Sequence, residues 1–205
     1  MWGPISRRRG FNLIEVVVSS TVMLGMLGIL YLLALAGLRL FEQSKSYQGG
    51  QQEVQKALAR LGRDLNNSCR EHLVVSAGAV RFLSPERLAP QSGFEYALDS
   101  ARLRWWKWLC YSLDPGSELV RSEVALSGGP RVDLLPGPGP APALTVFRSQ
   151  AYPARKTLAR NIEQWSITQG SRPGCYRVRV VALEPINSRS RTRIEVETQV
   201  TVLNR

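Results

Sequence analysis

From Val16 to Leu38 the chain carries no charged residue, a run of 23 positions. As an α-helix that run would extend about 35 Å, enough to cross a hydrocarbon core of about 30 Å. Arg39 closes it, and Gly25, Gly28 and Gly37 lie inside it. Glycine is tolerated in membrane helices, where it lets another helix approach closely. Arg7, Arg8 and Arg9 stand on the N-terminal side. An excess of positive charge stays cytoplasmic, so residues 1–10 are expected inside and the chain after Leu40 outside. One carboxylate, Glu15, sits at the entrance of the run.

The 205 residues suffice for one domain plus an appendage. Lys and Arg number 27 against 16 Asp and Glu, a net charge of +11. Such a balance suits anionic lipid, nucleic acid or an acidic partner, and does not choose among them. There are three cysteines, Cys69, Cys110 and Cys175. An odd number predicts one disulfide and one free thiol in an oxidising compartment, with the pairing open. Cys69 and His72 share a metal-like spacing, but two ligands do not make a site, and no cofactor is expected.

Three interpretations of the N-terminus compete. A signal peptide cut after Ala36 would use Ala34-Leu35-Ala36, and Arg8-Arg9-Gly10-Phe11 fits a twin-arginine start. The apolar run is longer than the usual 7–15 residues of a signal peptide, however, and Glu15 has no part in it. A plain membrane anchor also leaves Glu15 unexplained. Third, Gly10-Phe11-Asn12-Leu13-Ile14-Glu15 after a short basic leader resembles the processing site of type IV prepilins. Asn12 departs from the commoner threonine. The resemblance implies a membrane-embedded prepilin peptidase that cuts after Gly10 and N-methylates Phe11. The apolar helix would then hold the subunit in the inner membrane and pack into a filament core.

A charge at mid-bilayer costs about 2.5–3.5 kcal/mol. Glu15, fifth residue of the mature helix, would lie only about 7 Å from its start and stay near the headgroups. In a filament core it needs a cation or a proton. Cleavage would supply the Phe11 amine, from the same subunit or a neighbour, and the resemblance implies a register-setting role in assembly. Alternatively Glu15 is simply a first-turn acid favoured by the helix dipole. The two roles are compatible.

Beyond Arg39 the pattern turns amphipathic. Val54, Leu58, Leu61 and Leu65 recur at helical spacing, predicting one long helix to about Asn66. Gly49-Gly50 should bend or soften it. After residue 72, strand-like runs alternate with turns: Leu73–Val75, Ala79–Leu83, Phe94–Leu98, Leu103–Leu113, Leu119–Leu126 and Thr145–Arg148. Asp114-Pro115-Gly116-Ser117 predicts a hairpin turn. Residues 127–144, dense in Gly and Pro, predict a loop. Leu158–Trp165 suggests a short helix or irregular edge. Cys175–Leu183 and Arg193–Leu203 alternate best and predict an antiparallel pair around a turn at 188–191.

These elements give the expected plan: an α+β fold, with a leader at 1–10 and a membrane or filament-core helix at 11–40. An extracytoplasmic globular domain follows at 41–205, where the amphipathic half of the helix, about 41–67, packs on an antiparallel sheet. Looser stretches such as "YSLDPGSELVRSEV" and "VETQVTVLNR" resemble larger minor pilins, nearest the J-type minor pseudopilin of type II secretion and the W-type minor pilin. That resemblance implies partners: the prepilin peptidase, other major and minor pilin or pseudopilin subunits, an inner-membrane assembly platform and membrane lipid. Arg104, Trp106, Lys107 and Trp108 mix bases with aromatics as single-stranded nucleic-acid sites do. DNA is thus an alternative partner for a pilus-tip subunit. The plainer expectation puts the tryptophans on a core face with Arg104 and Lys107 solvated. No hydrolase, zincin, P-loop or dinucleotide motif occurs, and the chain is expected to be no enzyme.

Overall fold

A computed structural model describes residues 12–202 apart from 77, 89–92, 96–103, 133–138, 152–153 and 187–190. The chain divides into two compact units, Met1–Lys45 and Ser46–Arg205. The helix α1 covers Leu13–Asn66. In the first unit its side chains, Leu13 through Phe41, are exposed nearly throughout. A stretch of it is apolar enough to cross a membrane, with mean hydropathy 2.2. A helix apolar on every side, with its side chains exposed within its own unit among the described residues, fits a membrane span.

In the second unit α1 becomes one-sided. Val54, Ala57, Leu58, Leu61 and Leu65 are buried, and the positions between them are polar apart from Ala59 and Gly62. The strands are β1 (Val74–Ser76), β2 (Ala79–Ser84), β3 (Lys107–Leu113), β4 (Leu119–Ala125), β5 (Arg155–Ala159), β6 (Ile162–Gln169), β7 (Cys175–Pro185) and β8 (Arg191–Thr201). They form two antiparallel sheets in chain order, β1-β2-β3-β4-β5 and β6-β7-β8. The main core joins the α1 stripe to Val80, Phe82, Leu109 and Tyr111 of the first sheet and to Ile162, Trp165, Val178 and Ile194 of the second. A smaller cluster lies on the other face of the first sheet. There Ala79, Leu83, Trp108 and Cys110 pack with Phe147 of α2 (Leu144–Arg148) and with Cys69. An α+β architecture with a long N-terminal apolar helix and antiparallel sheets is therefore present.

Several expectations need correction. Thr145–Arg148 lies in a helix rather than a strand: only Phe147 is buried there, a single anchor that one helical turn can seat and a strand's alternation does not need. Leu158–Trp165 is not a helix. It is the end of β5 and the start of β6, separated at Asn161, whose φ of 57° permits the reversal. Asparagine is among the few residues that tolerate this conformation. Both are edge strands, and the register shifts at Leu158 and Glu163, so the irregular-edge half of the expectation holds. The helix runs unbroken through Gly49-Gly50. Gly50 is there for proximity: a Cβ on it would collide with Glu184 and come within 2.8 Å of Ile194 Cδ1.

The hairpin turn at 114–117 is present, with Asp114 N–H donating to Glu118 C=O at 2.9 Å and Ser117 at φ 59°. Its first strand starts at Lys107, and Trp105 makes only an isolated bridge to Arg131. Phe94 bridges Glu86, while the rest of the Phe94–Leu98 run lies outside the described residues, as do 188–190 of the last turn. β7 and β8 pair antiparallel over eleven positions without a register break.

Candidate functional site

Arg7, Arg8 and Arg9, expected in a leader, and Gly10 and Phe11, expected at a processing site, lie outside the described residues. The described residues begin at Asn12, immediately ahead of α1. The Asn12 backbone N–H donates to Glu15 Oε2 at 3.4 Å, and the Glu15 N–H donates to Asn12 C=O at 2.9 Å. Glu15 is thus the third residue of the helix and reaches back to its start, as in half of a capping box. The partial positive charge of the helix N-terminus favours a carboxylate there. Downstream, the Ser20 hydroxyl donates to Val16 C=O at 2.7 Å and that of Thr21 to Val17 C=O at 2.8 Å. Both hydroxyls are therefore satisfied within the helix, which lowers the cost of placing them in lipid.

A second constellation was not foreseen from sequence. Six charged side chains meet between α1 and the first sheet: Arg60 and Asp64 from α1, Glu86 after β2, Lys107 from β3, and Arg121 and Glu123 from β4. Lys107 and Glu123 are almost wholly buried, and the Lys107 ammonium donates to Glu123 Oε2 at 2.6 Å and to Arg87 C=O at 2.6 Å. Arg121 donates through Nε to Asp64 Oδ2 at 2.8 Å and through Nη2 to Glu86 Oε2 at 2.7 Å. Arg60 joins Asp64 to Glu86, at 3.3 Å and 3.0 Å. The Tyr111 hydroxyl donates to Asp64 Oδ2 at 2.7 Å.

Three cations face three carboxylates, so the cluster carries no net charge. That balance lets it be buried where an isolated ion could not be. Burial works against ionised Glu86, but Lys107, Arg121 and Arg60 outweigh it and hold the carboxyl below its ordinary value. Burial, with Asp64 beside it, pushes the Tyr111 phenol well up.

This cluster changes the picture of the basic-aromatic stretch. Lys107 is not solvated: it points to the α1 side with Leu109 and Tyr111, and it is paired. The plainer expectation of a solvated Lys107 is thereby corrected. The reason is a diagonal cross-strand partner, Glu123 of β4, whose direct opposite is Leu109. Trp108 is buried in the smaller cluster. Arg104 binds Glu95 at 2.9 Å, as Arg87 does, and the Arg87 guanidinium lies 5.9 Å from the centre of the half-buried Trp106 ring. Of the four candidate nucleic-acid contacts, Arg104 and Trp106 remain partly exposed, and Lys107 and Trp108 do not.

On the outer face of the second sheet, Arg177 pairs with Glu197 at 3.1 Å and Arg179 with Glu195 at 2.7 Å, so these arginines are compensated too. The three cysteines are free thiols, and no disulfide joins them: Cys69 and Cys110 are buried and Cys175 is half-exposed. Burial pushes the Cys110 thiol up to about 11. His72 meets the Trp108 ring edge-on at 6.4 Å.

Beside β8 a groove of about 680 Å³ opens between that strand and α1, lined by Leu58, Ala59 and Gly62 on the helix and Val196–Thr201 on the strand. No protein-family model, curated protein or solved structure matches the chain.

Proposed function

We propose that the protein is a minor type IV pilin or pseudopilin: a structural subunit cleaved after Gly10, N-methylated at Phe11 and assembled into a pilus or secretion pseudopilus. The tip, or the complex that primes assembly, is its proposed place. The observation that carries this proposal is the joining of Gly10-Phe11-Asn12-Leu13-Ile14-Glu15 to a helix apolar enough to span a membrane. The α+β globular unit that follows supports the same reading. In this account the N-terminus faces the cytoplasm, the globular unit lies outside the inner membrane, and the partners are the prepilin peptidase, fellow subunits and the assembly platform.

Glu15 has a double task. Before cleavage its carboxylate caps the helix through Asn12. After cleavage the amine of Phe11, four residues ahead of Glu15 in the sequence, becomes a candidate partner for that carboxylate, and a neighbour's amine competes for it as helices stack. A DNA-holding tip subunit has less support, since two of its four proposed contacts are buried. The test is processing in cells. Gly10→Arg should leave a single membrane band about 1 kDa heavier than the mature form, in the presence of the peptidase. A normal mature band from that variant would sink the proposal.

A further inference from the structure

β8 is the last strand of its sheet, and the hydrogen-bond phase of its outer edge can be read. Val202 N–H donates to Gly174 C=O at 2.8 Å, in continuous register with the pairing of Cys175 and Thr201. In an antiparallel ladder such pairs alternate. The even-numbered residues of β8 therefore bond to β7, while Glu197, Gln199 and Thr201 turn both backbone groups outward. No described residue bonds to them there. Their edge faces the groove against α1, whose helical wall offers small or uncharged side chains, Gln55, Ala59, Gly62 and Asn66. The inward side chains Val196 and Val200 supply an apolar floor with Leu58.

Unprotected edges are normally blunted by proline, lysine, bulges or a covering element. From Val196 to Thr201 β8 has no proline, lysine or bulge, and its one charged side chain, Glu197, is paired with Arg177 of β7. A row of unpaired N–H and C=O groups over an apolar floor is matched by one kind of occupant, an extended peptide with alternating apolar residues. An occupying helix would bring no free backbone groups to satisfy that row.

We propose that this groove takes a β-strand from another subunit, added to the free edge of β8. That the donor is a co-assembled subunit rests on the filament proposal; the strand itself does not. The test uses the full chain in lipid nanodiscs, and the same chain in assemblies extracted from its own membranes. Amide hydrogen exchange of Glu197, Gln199 and Thr201 should slow at least tenfold on assembly, with Thr198 and Val200 protected in both samples. A photocrosslinker at Ala59 should join a strand-forming segment of another subunit.

Gln199→Pro removes an outward N–H without touching the ladder to β7. It should abolish that cross-link while Thr198 stays protected. Equal exchange in both samples would overturn the proposal, as would a cross-link that maps to a helix and survives Gln199→Pro. Edge protection in a chain lacking N-methyl-Phe11 would uphold the strand and reject the filament as its setting.

Discussion

Single side chains decide how the globular unit is held together, and Lys107 is the sharpest case. Its ammonium is buried with Glu123 and Glu86, so removing it leaves three carboxylates facing two cations, Arg60 and Arg121. Lys107→Met should cost about 3–5 kcal/mol, the usual result of breaking a buried pair, seen as a lowered midpoint in urea unfolding of the detergent-solubilised protein. A change within 0.5 kcal/mol would contradict the burial. The two adjacent glycines make a paired comparison. Gly49 has open space around it, whereas Gly50 is pressed against Glu184 and Ile194. Gly49→Ala should stabilise by about 0.5–1 kcal/mol through helix propensity, and Gly50→Ala should destabilise by about 1–3 kcal/mol through overpacking. Thiol titration with Ellman's reagent should find Cys175 reactive in the folded chain, and Cys69 and Cys110 only after unfolding.

Elements were legible in proportion to how local their cause is. The helix to Asn66, the hairpin at 114–117 and the β7–β8 pair follow from periodicity and turn chemistry within a few residues. Thr145–Arg148 was misread because a four-residue run does not distinguish a strand from a helical turn seated by one buried Phe147. The split at Asn161 was hidden because nothing adjacent in sequence announces a left-handed residue between two strands. The charge cluster was illegible for a stronger reason. Arg60, Glu86, Lys107 and Arg121 are far apart in the chain, and only the β3–β4 register and the seat of α1 bring them together. The single local clue was Lys107 sharing strand parity with Leu109 and Tyr111.

The same cluster sets a pH dependence at the level of the α1–sheet contact. Glu86 is held below its ordinary 4.5, so the folded state releases its proton more readily than the unfolded chain. The stability this contributes is present above pH 4.5 and is lost as pH falls through the folded value. Glu86→Gln should flatten that acid limb in a series of unfolding curves between pH 3 and 6. Tyr111 titrates the other way. Its raised phenol keeps its contribution below pH 10, and that contribution is lost at higher pH.

In the whole molecule, a helix that suits lipid leads into a globular unit that carries its own core, with one carboxylate at the helix start. The proposed function requires that the leader be cut away and that the new amine appear where Glu15 can meet it. Glu15→Ala should be processed normally yet recovered in sheared filaments at a small fraction of the wild-type amount, and equal recovery would remove the amine–carboxylate pairing from the account. The most direct measurement is the mass of the mature N-terminal peptide, from cells with and without prepilin peptidase. The account predicts N-methyl-Phe11 when the enzyme is present and an intact leader when it is absent. A mature chain beginning at Gly37, or one that keeps residues 1–10 in both strains, would contradict it.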